Sequence, residues 1–125
     1  MTHPEFEVQR AVVELLRLSR VPFVVSLSGV HLTATQARLA KAQGMSAGDP
    51  DLLIIRRPPR VLQCHAMALE LKREDLRPKR LGGMGGVTVA QWERHETYRS
   101  EGWHVAVAWG VDHAIEELRR AGYVP

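Results

Sequence analysis

Gly48-Asp49-Pro50-Asp51-Leu52-Leu53-Ile54-Ile55 opens an apolar run on an acidic residue, and Ala68-Leu69-Glu70-Leu71-Lys72 sets an alternating Glu-x-Lys inside another. In a strand, successive side chains point to opposite faces. Glu70 and Lys72 therefore share one face, and Leu69 and Leu71 share the other. If the two runs pair as a hairpin, Asp51 comes beside Glu70 and Lys72. Two carboxylates and an ammonium group then gather at one spot, the set a metal-dependent phosphodiesterase needs.

Outward from that hairpin, residues 5 to 20 read as a helix. Phe6, Val8, Val12, Val13, Leu15 and Leu16 recur at helical spacing behind Pro4. Helical phase puts Glu5 and Gln9 on the stripe of Val12 and Leu16, with Glu7 opposite and facing water. Pro22 to Ser28 reads as a strand ending at Gly29. Thr33 to Gln43 reads as a helix: Thr33-Ala34-Thr35-Gln36 fits a capping box, Ala37, Leu39 and Ala40 give a short apolar face, and Gly44 is a stop. Residues 51 to 56 and 64 to 72 are the hairpin strands, joined through Arg56-Arg57-Pro58-Pro59-Arg60, because proline cannot continue a ladder.

Residues 73 to 86 combine Arg73, Arg77, Lys79 and Arg80 with Gly82, Gly83, Gly85 and Gly86. They read as a mobile basic loop rather than a packed element. Thr88-Val89-Ala90-Gln91 is a second capping box and opens a helix to about Ser100. Trp103 to Trp109 reads as a strand, and Asp112 caps a last helix ending near Gly122. The order αβαββαβα gives an α/β fold, a small mixed sheet with an antiparallel hairpin flanked by helices. The step from residue 64 to 109 is expected to be a right-handed parallel crossover.

The totals fit one domain over residues 1–125, with 45% apolar and 25% charged residues. No run approaches the roughly 18 apolar residues of a membrane span, and no secretory signal is visible. Cys64 is the only cysteine, which excludes an internal disulfide and fits a reducing interior. The six histidines are scattered without zinc spacing. The net charge is +3. It points toward nucleic acid more sharply if Asp51 and Glu70 hold a cation, because the remaining surface is then more basic.

Asp51, a hairpin, then Glu70-Leu71-Lys72 resembles the core of the PD-(D/E)XK nuclease superfamily, with its restriction-endonuclease-like fold. Glu5 with Gln9, Gly48-x-Pro50-Asp51, Thr88-x-x-Gln91 and Gly102-Trp103-His104-Val105-Ala106-Val107 extend the match. Together they look like a stand-alone VRR-NUC domain of the bacterial or viral type. The resemblance implies a magnesium- or manganese-dependent endonuclease that acts as a homodimer on branched DNA, notably Holliday junctions, in the cytoplasm of a bacterial or virus-infected cell. It implies Glu5, Asp51, Glu70 and the backbone carbonyl of Leu71 as metal ligands, Lys72 as the group that orients or activates water, and Gln91 as its helper. Hard divalent cations want such oxygen ligands.

Two departures from the family stand out. The linker of residues 73 to 87 is longer than usual, and Ser28-Gly29-Val30-His31 replaces a common Asn-Gly-basic stretch. Several residues carry a second reading. Glu5 could be a favourable charge at a helix start, and Glu7 could replace it as ligand. Gln91 could simply complete its capping box. Arg73, Arg77, Lys79 and Arg80 are a solvated charge run unless they sit beside a nuclease site, where phosphate contact becomes the favoured reading. His95 lies one helical turn past Gln91, within reach of a substrate. Trp92, Trp103 and Trp109 read as core or dimer contacts rather than base-stacking platforms. The alternative functions are a non-catalytic DNA-binding module, or a nuclease with a nicking, flap or sequence-specific target.

Overall fold

The computed structural model describes residues 4–26, 32–80 and 82–125. The stretch Ser28-Gly29-Val30-His31 lies outside them. The elements in chain order are α1 (Pro4–Leu18), β1 (Phe23–Val25), α2 (Ala34–Ala42), β2 (Leu52–Ile54), β3 (Ala66–Lys72), α3 (Val89–Ser100), β4 (Trp103–Trp109) and α4 (Val111–Ala121). One turn of 3-10 helix, Glu74–Leu76, follows β3. The order is the expected αβαββαβα. The four strands lie in the sequence β1-β2-β3-β4, with both β1–β2 and β2–β3 antiparallel and β3–β4 parallel.

Every residue of β3 is buried, which makes it the central strand with both faces covered. Its pleat divides the molecule. Met67, Leu69 and Leu71 join Leu52, Ile54, Ala106 and Ala108 in the apolar core. Val8, Val12 and Leu16 of α1, with Ala114, Leu118 and Ala121 of α4, cover that face. Glu70 and Lys72 belong to the opposite face, where their hydrogen bonds reach α3. Small Ala66 and Ala68 on that same side of β3 leave room for close approach of the helix.

Some local expectations are corrected by packing. Phe6 is exposed rather than core-facing, because α1 meets the sheet through Val8, Val12 and Leu16. α2 keeps its Thr33–Gln36 capping box but buries none of its residues, so its short apolar face is not a core stripe; Leu39 is 60% exposed. The last helix begins at Gly110, whose φ of 90° suits glycine, and Asp112 lies within its first turn instead of capping it. The basic loop is anchored, not simply mobile. Trp109 Nε1 donates to the Gly85 carbonyl at 2.7 Å, and Gly85 lies so close to the indole that a Cβ would stand 2.5 Å from Cζ2.

Candidate active site

Register brings the acidic residues together. Leu52 pairs with Leu69, so the next step outward sets Asp51 opposite Glu70. The Leu71 N–H donates to Asp51 Oδ2 at 2.7 Å, fixing the carboxyl across the strand end. The residues before Asp51 hold it there. Gly48 has φ of 85°, and a Cβ on it would lie 2.6 Å from the Ala90 carbonyl oxygen of α3. Only glycine allows both that conformation and that approach. Arg94 Nε of α3 donates to Asp49 Oδ1 at 2.5 Å, and Pro50 is fully buried. The loop that delivers Asp51 is thus fastened to the helix facing Glu70 and Lys72.

Glu70 is 2% exposed and Lys72 is 6% exposed. Burial, the hydrogen bond with Glu70 and the charge of Glu70 push the Asp51 carboxyl up to about 8, against the opposing pull of the Leu71 N–H and Lys72. Burial also raises Glu70, with Glu5 adding to the rise and the Asp51 hydrogen bond and Lys72 working against it. The two carboxyl groups therefore share a proton, with Asp51 as the donor and Glu70 as the acceptor. A proton held there near neutral pH marks negative charge that the protein itself does not fully compensate.

The helix side completes the site. Lys72 Nζ donates to Gln91 Oε1 at 3.0 Å. The same oxygen accepts the Thr88 N–H at 2.9 Å, while Thr88 Oγ1 accepts the Gln91 N–H at 3.1 Å. One atom, Gln91 Oε1, thus both completes the capping box and accepts from Lys72. One turn on, His95 Nε2 lies 3.0 Å from Glu70 Oε1, and His95 is 2% exposed. Burial, then Arg99 and Lys72, lower its pKa, so the imidazole is neutral. Glu70 is an acceptor toward Asp51, so the hydrogen belongs on Nε2 and the imidazole donates.

Sequence reasoning left His95 out of the site set. The signal was its spacing. Four helical residues advance about 6 Å and two strand residues about 6.6 Å. A helix crossing a strand with Glu-x-Lys can therefore match Gln-x-x-x-His to it, Gln91 to Lys72 and His95 to Glu70.

Glu5 is exposed, not on a buried stripe, yet its charge acts on Glu70. Glu7 instead lines an open cavity of about 600 Å³ with Val8, Arg73, Glu74 and Asp112. That cavity does not include Asp51 or Glu70. Of the basic residues after β3, Arg73 lies 3.3 Å from Asp75, whereas Arg77, Lys79 and Arg80 are exposed. Among the described residues no three His, Cys, Asp or Glu side chains form a ready metal cage. Magnesium does not require one, since it keeps several waters and takes one or two carboxylates. The pair Asp51 and Glu70, sharing a proton that a cation can replace, fits such an ion.

A solved structure described as a VRR_NUC domain protein is similar over 95% of this chain and 88% of its own, with 28% sequence identity and a TM-score of 0.63. The chain has the fold of a VRR-NUC domain. Its mixed four-strand sheet flanked by helices is that of a nuclease-type domain. No family model and no curated protein matches the sequence. The structure brings Asp51, Glu70 and Lys72 together at one end of the hairpin, with Gln91 on the helix above. Among the described residues no helix is long and apolar enough to cross a membrane.

Proposed function

We propose that this VRR-NUC domain is a magnesium- or manganese-dependent DNA endonuclease that cuts branched DNA, four-way junctions in particular, as a homodimer inside the cell. The observation that carries the chemistry is the convergence of Asp51 on buried Glu70 and Lys72 at one end of the hairpin. Asp51, Glu70 and the Leu71 carbonyl would hold the ion, with Glu5 closing the shell from α1. A bound divalent ion supplies an acidified water and offsets charge developing on the phosphate.

The protein's own residues do the rest. Lys72, fixed by Gln91 Oε1, presents a positive group to the attacking water or to a phosphate oxygen. The Leu71 N–H and the Asp49–Arg94 pair keep Asp51 from turning away. Arg77, Lys79 and Arg80, with Arg73 at the edge, are the proposed backbone contacts, and they carry no sequence information. Two coordinated cuts at a symmetric junction call for a symmetric dimer.

The test is incubation of duplex, single-strand, flap and four-way junction DNAs with magnesium, manganese or chelator. Junction cleavage that needs the metal and disappears in Glu70→Ala and Lys72→Ala is expected, with both variants folded. Undiminished cutting by both would refute the assignment. Junction binding that is equal with and without metal, with no cutting under either ion, would make the domain a binding module.

A further inference from the structure

Two polar groups sealed from water face each other across the sheet–helix boundary. Glu70 Oε1 and His95 Nε2 stand 3.0 Å apart, each residue 2% exposed. The bond joins β3 to α3 across residues distant in the chain, so it belongs to the tertiary fold. The imidazole is the partner that reaches Glu70 Oε1 from the helix side. Burying an imidazole is unfavourable without a partner. Truncating it would leave a carboxylate oxygen sealed and unpaired. The same helix face supplies the oxygen that holds Lys72, so α3 fixes both members of Glu-x-Lys from one side.

We propose that His95 is a positioning residue for the metal centre: its Nε2–H fixes Glu70 Oε1 and leaves Oε2 as the single oxygen offered to the ion. This rests on the metal-dependent reading above. Groups that orient a ligating carboxylate govern its geometry and strength as a ligand. A free glutamate could swing, or chelate through both oxygens. A tethered one presents one oxygen in one direction, which suits the strict octahedral demand of magnesium. His95 touches neither substrate nor ion in this scheme.

The experiment is calorimetric titration of manganese into the metal-free, full-length protein, without DNA. It uses the wild type, His95→Gln, His95→Leu and His95→Asn. Glutamine places an amide N–H where Nε2 stood. Leucine keeps bulk without a donor, and asparagine is too short to reach. Loss of this kind of support weakens metal binding by about 10–100-fold. That loss is expected for His95→Leu and His95→Asn, with His95→Gln within about threefold of wild type.

In cleavage assays the KM for DNA stays constant, and the activity lost in His95→Leu returns in part as manganese is raised. A merely structural role would lower thermal stability without moving manganese affinity. Wild-type manganese affinity in folded His95→Leu would overturn the proposal. If that variant does not fold, wild-type affinity in His95→Asn would do the same. Glutamine binding as weakly as leucine would overturn the donor argument. A wild-type protein that takes up no manganese would instead sink the metal-dependent reading on which the proposal stands.

Discussion

Asp51→Asn separates the proposed metal pair from an ordinary turn aspartate, and the separation can be read without DNA or metal. The carboxyl ionises near 3.8 in the unfolded chain and at about 8 in the folded one. Between those values the folded protein holds a proton that the unfolded chain has released. The stabilising contribution is therefore complete below the unfolded value and is lost as pH rises toward the folded one. The slope is about 1.4 kcal/mol per pH unit. His95 and His104, both lowered by burial, act in the opposite sense, but only below their ordinary value of 6.5. From about pH 6.5 to 8 the carboxyl pair dominates, and the loss across that window is about 2 kcal/mol. Asparagine keeps an acceptor for the Leu71 N–H and removes the ionisation. Urea unfolding in chelator should show wild type falling behind Asp51→Asn by about that amount across the window, with unchanged denaturant slopes. Manganese at the upper end should restore wild type and leave the variant unaffected. Parallel stability curves for the two proteins would refute the proton-sharing arrangement, and with it the physical case for a cation at Asp51.

Gly48→Ala should cost about 2–3 kcal/mol in chemical unfolding, since it joins left-handed strain to a backbone clash. Gly44→Ala, also at positive φ but with nothing within 4 Å, should cost only about 1 kcal/mol. Lys72→Met should reduce junction cleavage by about 10²–10³-fold, the scale of one lost electrostatic contact to a reacting phosphate; activity near wild type would exclude the lysine from the chemistry. Thr88→Ala and Gln91→Ala should each lose about 1 kcal/mol of stability with the capping box. Only Gln91→Ala should also slow cleavage, because only it releases Lys72. Equal rates for the two would reduce Gln91 to a cap.

The parts of the site legible in the sequence are those set by local periodicity. Strand alternation placed Glu70 and Lys72 on one face, and pairing of the two apolar runs placed Asp51 beside them. The capping boxes at Thr33 and Thr88 fixed two helix starts to the residue. What periodicity does not encode is which surface an element meets. α2 has an apolar triplet and yet buries nothing, and Phe6 lies outside the arc that α1 turns to the sheet. Gly48 looked like loop composition, while its necessity comes from the Ala90 carbonyl, a contact between segments far apart in the chain. Glu5 was in phase with Val12 and Leu16, but it sits in the first turn of α1 and is exposed, so phase alone overstated its burial.

His95 shows the same limit and a way past it. An isolated histidine in a helix carries no strong signal. Read against the facing strand it does, because one helical turn and two strand residues span nearly the same length. Gln91 and His95 then become the partners that buried Lys72 and Glu70 must find, since a central strand has no water to satisfy them. A polar pair on a fully covered strand therefore predicts a polar pair at helical spacing on the element above it. In this protein that second pair is Gln91 and His95, whose hydrogen bonds meet Lys72 and Glu70.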